Sequence, residues 1–300
     1  MTLSHAHSNP QKPDRVVVVG SSGFIGVRLI RACAAEGIPA VGLSSGDVDL
    51  ADASAGPRLA ERLRPKDVLV FLAALTPNRG RDSRTLMRNL LMAQAVCEAS
   101  RAVELTQVVY ASSDTVYAFD TALISEMTPA APTELYGAMH RMRELMLAAE
   151  LKAPLAILRY TAIYGAGDTH DSYGPNRFLR QALTDACIPL FGNGEETRDH
   201  LHIDDAVAIL MRVILRGSTG LLNLASGTSE TFHAVANMIA AQVAADRGRP
   251  IRIEASARQN AVTHRHFDTT DLIRAFPDVR FTALTDGLAK ALAERDRTNG

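Results

Sequence analysis

Residues 15–26 read Arg15-Val-Val-Val-Val-Gly20-Ser-Ser-Gly23-Phe-Ile-Gly26, and the fold turns on them. Four valines in succession predict a strand buried on both faces, as inside a parallel sheet. Three glycines follow at three-residue spacing, and 27–36 continues with helical periodicity. Gly20 permits a tight turn, Gly23 lets a phosphate approach the backbone, and Gly26 lets the helix lie against the strand. Ser22, Phe24 and Ile25 complete the loop and the first helical turn. The helix presents unpaired N–H groups and a partial positive charge, which suit a pyrophosphate. Strand, glycines and helix together read as a dinucleotide site; a glycine-rich turn that binds nothing is the alternative.

This spacing, G-x-x-G-x-x-G, resembles the extended short-chain dehydrogenase/reductase superfamily, in particular the NAD-dependent epimerase/dehydratase family acting on nucleotide sugars. Five later stretches carry the same resemblance across nearly the whole chain. It implies an α/β fold, a doubly wound parallel sheet (Rossmann) with a smaller α/β substrate-binding cap and a cleft at the carboxyl ends of the strands. The expected division is a disordered leader over 1–12, a dinucleotide-binding domain over 13–165 to which 200–226 returns, and a substrate-binding portion from 166–199 and 227–300.

Composition fits this and narrows the partners. In 300 residues, 47% are hydrophobic and 22% charged, ordinary proportions for a globular protein. A net charge of −1 gives no electrostatic reason to expect nucleic acid or an anionic membrane. Cys33, Cys97 and Cys187 are widely spaced and read as reduced thiols of a cytoplasmic protein. No apolar run is long enough to span a bilayer, and the leader lacks a signal-peptide core.

Past the first helix, Gly37–Leu43 reads as a second strand. Where a NAD enzyme places an acid on the adenosine ribose, this chain has Ser44-Ser45-Gly46, with Asp47 slightly late. Both NAD and NADP are open on these residues. Asp49-Leu50 resembles the family's Asp-Leu step, whose acid contacts adenine; the other reading is a cap for a helix over 53–64. A strand over 67–74 ends on Leu72-Ala73-Ala74, resembling the small residues the family lays against the cofactor. Thr76 opens a loop, 76–81, placed to face substrate. Asn89, on a helix over 83–101, resembles the asparagine that steadies a water and backbone near the site.

Two stretches carry the proton chemistry. Ser112-Ser113-Asp114-Thr115-Val116-Tyr117 resembles the family's Ser-Ser-x-x-Val-Tyr signature. The resemblance makes Ser113 the hydroxyl that bonds the reacting sugar oxygen, and strand-end hydrogen bonding is the alternative. Asp114 matches the acid that sugar-nucleotide dehydratases carry there, but Thr115 stands where their glutamate would. Pro132-Thr-Glu-Leu-Tyr136-Gly-Ala-Met-His140-Arg-Met-Arg-Glu144 matches Pro-x-x-x-Tyr-Gly-x-x-Lys-x-x-x-Glu except that lysine has become His140. Positions four apart share a helix face, so His140 sits beside Tyr136. The resemblance makes Tyr136 the acid/base and His140 the group that holds the nicotinamide ribose. Bringing a tyrosine from about 10 to about 7 takes roughly 4 kcal/mol, and an imidazole, mostly neutral above pH 7, supplies little of it. Arg143, about 10 Å further along the helix axis, is not expected to replace the lysine.

The sixth-strand segment, 154–165, resembles Leu-Arg-x-x-Asn-Val-Tyr-Gly, with Tyr160, Thr161 and Ile163 lining the cofactor and Ala162 in place of the asparagine. The loop 166–175 opens the cap, whose helix over 176–186 offers Arg177 and Phe178 to substrate. Residues 189–205 resemble Gly-x-Gly-x-x-x-Arg-Asp-x-x-x-Val-x-Asp; Phe191 lies near substrate, and Arg198 matches the arginine that grips the diphosphate, a task suited to a planar guanidinium. An ion pair of Arg198 with Asp199 is the alternative. Asp204 and Asp205 are expected to cap a helix over 206–216. His200, His202, His264 and His266 lack an acidic or thiolate partner, so no metal is expected. Residues 220–227 resemble a strand returning to the sheet; 231–246, 251–254 and 284–295 follow as helix, strand and helix.

The resemblance thus implies an NAD(P)-dependent epimerase or 4-keto reductase acting on a nucleotide-activated sugar. The alternatives are a catalytically silent nucleotide-binding or sensor protein, favoured by His140, and a sugar-nucleotide dehydratase. Helices 83–101 and 134–150, bearing Met87, Met92, Met139, Met142 and Met146, match a homodimer interface in the family, although ordinary core packing explains these residues almost as well.

Overall fold

The computed structural model describes residues 2–168, 172–258 and 261–299, the last four of them as backbone only. In the first half, β1 (Ser4–His5), β2 (Val16–Val19), α1 (Phe24–Ala35), β3 (Ala40–Leu43), α2 (Ala55–Ala60), β4 (Val68–Phe71), α3 (Ser83–Ala102), β5 (Gln107–Ser113), β6 (Leu123–Ile124) and α4 (Leu135–Glu150) follow in order. The second half continues with β7 (Leu155–Tyr160), β8 (Ala162–Tyr164), α5 (Pro175–Asp185), β9 (Cys187–Phe191), β10 (Thr197–His202), α6 (Ile203–Leu215) and β11 (Ser218–Leu224). It closes with β12 (Ser229–Thr231), α7 (Phe232–Arg247), β13 (Arg252–Ser256), β14 (His266–Phe267), α8 (Thr270–Ala275) and α9 (Leu284–Asn299).

Strands β3-β2-β4-β5-β7-β11 lie side by side and parallel, in the order of a doubly wound fold whose crevice opens above the carboxyl end of β2. All four valines of β2 are buried, as a strand covered on both faces requires. One core layer joins Val16, Val18, Leu29 and Val109 to Ile209 and Leu210 of α6; the other joins Val17, Val19, Leu69 and Phe71 to Val96 of α3 and Leu147 of α4. A third core, with Phe178, Ile188, Phe232, Val235 and Leu292, fills the cap.

Five details depart from the sequence reading. The leader, expected to be disordered, pairs Ser4 with Thr219 and His5 with Ser218, antiparallel on the free edge of β11. The His5 ring bonds Ser218 Oγ (2.8 Å) and the Ala275 carbonyl (3.0 Å) and packs on Phe276. The helix expected over 53–64 is only Ala55–Ala60, and Asp49 closes a local turn to Ala51 N instead of capping it. β10 does not return to the large sheet with β11; it pairs with β8 and β12 in a three-stranded sheet. Finally, α6 begins at Ile203 and is capped by the His202 ring, not by Asp204 or Asp205. Of the cap-opening loop 166–175, positions 169–171 lie outside the described residues.

Candidate active site

The glycine loop has the shape a dinucleotide needs. Gly20 has φ of +90°, and a Cβ there would stand 2.7 Å from Ala73 N; one on Gly26 would stand 2.4 Å from Gly20 O. Side chains at either place would push the turn off β4 or α1 off the turn. Gly23, the residue before α1, offers no side-chain cap, and Ser22 and Gly23 are exposed. The first turn of α1 therefore has no side-chain cap for its N–H groups, and the helix dipole stands behind them. These residues fit a pyrophosphate. At the end of β3, the Asp47 carboxylate folds back onto Ser44, accepting from its N–H (2.9 Å) and hydroxyl (2.7 Å), which hold it below the usual carboxylate range. The acid is thus held against Ser44, the place at which the sequence spacing sets serines. Arg58 donates to the Asp47 carbonyl (3.1 Å), a neighbour the sequence did not reveal. Leu50 is buried in the core, and the Asp49 carboxylate is half exposed beside Arg88.

Tyr136 lies in the first turn of α4, and Gly137 decides where it goes. A Cβ on Gly137 would fall 2.0 Å from the Thr115 carbonyl, so α4 packs directly on the turn that follows Ser113. Asp114, in the turn after β5, thereby comes within electrostatic reach of the Tyr136 phenol. The Ser113 hydroxyl accepts from Thr115 N (3.2 Å) and the Thr115 hydroxyl (2.9 Å), so it also makes the strand-end bonds that were its alternative reading. Burial holds the Tyr136 phenol up at about 12, opposed by Arg143 and reinforced by Asp114. Burial likewise raises Asp114, against the guanidinium of Arg265, which bonds the Asp114 carbonyl (2.7 Å) and lies 3.4 Å from its carboxylate.

One face of β5 meets α4 in a buried ladder. Tyr110 Oη lies 2.7 Å from His140 Nδ1, and the Ser112 hydroxyl donates to Glu144 (2.6 Å). Arg159 of β7 completes the second rung with two bonds to the Glu144 carboxylate, at 2.8 and 2.7 Å. Alternation on the strand (110, 112) against i,i+4 spacing on the helix (140, 144) was the available signal for Tyr110. His140 is buried, its basicity pushed well below 6.5 by burial and by Arg143, so the ring is neutral. Its other nitrogen, Nε2, is buried without a partner, an orphaned group suited to a ribose hydroxyl. Asn89 is buried; it clamps Leu75 through both backbone groups (2.9 and 3.0 Å) and so fixes the loop that follows Ala73. Tyr136, Asn89, Leu75 and Arg81 line a common pocket of about 390 Å³.

On the cap side, Arg198 does not pair with Asp199. Its guanidinium bonds the Thr197 and Thr263 carbonyls and the Thr263 hydroxyl, and faces the Phe232 ring at 5.9 Å. Asp199 instead accepts from Ser226 N, Ser226 Oγ and Gly227 N. Ala162 is exposed, whereas Tyr160 and Thr161 are buried and Ile163 is partly so. Phe178 is fully buried in the cap core and is no substrate neighbour. Arg177 is half-buried on α5, Phe191 is exposed beside Tyr173, and the Thr76 hydroxyl is turned to Asn78 (2.5 Å). His264 and His266 both reach the Thr197 hydroxyl.

A parallel sheet in this order, with a glycine turn between β2 and the amino terminus of α1, defines a dinucleotide-binding fold. The chain belongs to the NAD-dependent epimerase/dehydratase family, whose sequence profile it matches over residues 16–225. It is 28% identical over 172 residues to a Bacillus subtilis (strain 168) protein described as an uncharacterized UDP-glucose epimerase, YtcB, the match covering 54% of each; the chain spans about half the length of this curated relative. Among solved structures, MoeE5 in complex with UDP-glucose and NAD superposes with a TM-score of 0.80 at 25% identity, covering 95% of this chain and 100% of that one. The Thermus thermophilus UDP-glucose 4-epimerase complex with NAD, at 19% identity, shares the fold with a TM-score of 0.80 over 94% and 99%. No helix among the described residues is long and apolar enough to cross a membrane.

Proposed function

We propose that the protein is an NAD-dependent epimerase or 4-keto reductase acting on a nucleotide-activated sugar. The observation that supports this is the close approach of Gly137 to Thr115, which packs the helix that carries Tyr136 onto the turn that follows Ser113. Bound nicotinamide would supply hydride exchange. Tyr136 exchanges the sugar hydroxyl proton, Ser113 orients that oxygen, His140 Nε2 bonds ribose and Arg198 holds the diphosphate. We rank dehydration behind these, because Thr115 stands where the resemblance puts the dehydratase glutamate and Arg265 engages Asp114. A specific observation also supports the silent reading: the neutral, inward-turned His140 adds no charge to the tyrosine.

Protein heated to release bound small molecules and examined by mass is expected to yield NAD; incubation with UDP-sugars, which MoeE5 and its neighbours bind, is expected to yield a stereoisomer. Binding of both without turnover would establish the silent reading, and binding of neither would end the proposal. Retained cofactor marks the epimerase, whereas stoichiometric loss of reduced-nicotinamide absorbance marks the reductase.

Asp47 sets the cofactor. Its carboxylate suits a ribose 2′-hydroxyl and repels a 2′-phosphate. Asp47→Ser is expected to narrow the preference for NAD over NADP by about tenfold, read by binding titration of each. An unchanged ratio would remove Asp47 from this role. The outer faces of α3 and α4, with Met87, Leu91, Met142 and Leu145 exposed, are proposed as the homodimer surface; Met92 and Met139, by contrast, are buried in the subunit. Sedimentation of Met142→Glu is expected to report a monomer, and a dimer that persists would place the contact elsewhere.

A further inference from the structure

Spacing along the helix sets Arg143 aside, and the structure returns it to the site. The side chain is wholly buried. Its Nε donates to the Asn89 carbonyl (2.8 Å), Nη1 to the Ala73 carbonyl (2.9 Å) and Nη2 to Asn89 Oδ1 (2.9 Å), with the guanidinium 4.9 Å over the Phe71 ring. Every one of these partners is neutral, and no carboxylate among the described residues pairs with it. A guanidinium keeps its charge in proteins, and burying that charge without an anion is costly. Ala73, which Arg143 grips, is the residue against which Gly20 is pressed.

We propose that Arg143 supplies, through Tyr110 and His140, the fixed positive charge that the lysine of the tyrosine–lysine pair provides in related enzymes. The task is split in two at this site. His140 keeps the geometric half: with Tyr110 donating to Nδ1, the ring proton is set on Nε2, which becomes a donor for ribose. Arg143 keeps the electrostatic half, one turn further on. The guanidinium lies over the Phe71 ring, which is 5.3 Å from the Tyr110 ring; His140 follows at 2.7 Å from the Tyr110 oxygen, and the Tyr136 and His140 rings meet edge to face at 4.7 Å and 89°. Arg143 acts as a positioning residue through these two rings, and its charge pulls the Tyr136 phenol down.

The other groups that face Tyr136 are Asp114 at the end of β5, with Arg265 and Arg198 behind it, and Arg81, Asp82 and Glu134 around the pocket mouth. Of the cations, only Arg143 belongs to the element that carries the phenol and is also sealed from water, where its charge is least screened.

The inference rests on the reading of Tyr136 as the acid/base, and its test is independent of cofactor. A ring-fluorinated tyrosine at position 136 brings the phenol's ionisation into a range the protein tolerates, and its fluorine resonance reads the midpoint in cofactor-free protein. Arg143→Gln is expected to raise that midpoint by about one pH unit, while Arg143→Lys leaves it near the unmodified value. An unshifted midpoint in folded Arg143→Gln overturns the proposal. Should that variant not fold, Tyr110→Phe decides: loss of the phenol oxygen is expected to raise the midpoint, and an unchanged value overturns the proposal equally. NAD binding, followed separately by calorimetry, tells a failed cofactor reading from a failed charge assignment.

Discussion

Tyr136→Phe is expected to lower kcat by about 10²–10⁴-fold while leaving NAD affinity unchanged. The range is that of a single positioned acid/base group. The substitution removes one oxygen and keeps the ring that packs edge-on against His140, so the fold and the glycine cradle stay as they are. The parent enzyme supplies a second check. A phenol that burial holds up at about 12 is almost wholly protonated at neutral pH. On the proposed reading, oxidation of the sugar alcohol needs the phenolate, so its rate should climb with pH up to the working midpoint, by about tenfold per unit where proton removal limits. The reverse, keto-reducing direction needs the phenol and should be flat over the same range. Steady-state kinetics over a window of about pH 6 to 9 checks both arms. A Tyr136→Phe protein that keeps full turnover would remove the phenol from the chemistry.

The second large effect is on stability. Glu144 is buried with its carboxylate shared among Arg159, Arg141 and Ser112. Removing it strands the nearly buried Arg159 guanidinium on β7, which is left facing the Tyr117 ring at 4.8 Å. Breaking a buried ion pair on one side costs about 3–5 kcal/mol, because the surviving charge is left without compensation. Glu144→Ala is therefore expected to lose about that much in denaturant unfolding. Glu144→Gln, which keeps the acceptor oxygen for Ser112, should lose less. The effect reaches the site as well. Ser112 is the anchor of the strand end that presents Ser113, so the folded fraction of Glu144→Ala should show a raised KM in addition to its lowered midpoint. A loss below about 1 kcal/mol, the worth of a surface pair, would mean that α4 is held to the sheet by its apolar contacts alone.

How much of this is legible in the chain depends on the kind of signal. The valine run and glycine spacing place β2, the cradle and α1 to within a residue or two, because burial on both faces and positive φ leave few residue types to choose from. The tyrosine helix is equally readable. Side chains that reach across elements are not. Spacing weighs Arg143 by its distance along the helix axis, yet a long side chain leaning back toward the amino terminus covers much of that distance. Asp47 stands too late in the sequence until a hydrogen-bonded bend returns it to Ser44. Asp199 looks like the natural partner of Arg198 by adjacency, but neighbours on a strand point to opposite faces. Arg265, which meets Asp114, is 151 positions away in sequence and carries no local mark. Phe178 reads as a substrate neighbour because it follows Arg177; the helix turns it about 100° away, into the cap.

The two paired residues at the start of the chain have a practical consequence. They occupy the outermost ladder of the seven-stranded sheet, which would otherwise offer bare amide and carbonyl groups to another molecule. A shortened variant starting at Lys12 would leave that border open to end-on stacking between copies, and a purification tag belongs at the far terminus, away from it.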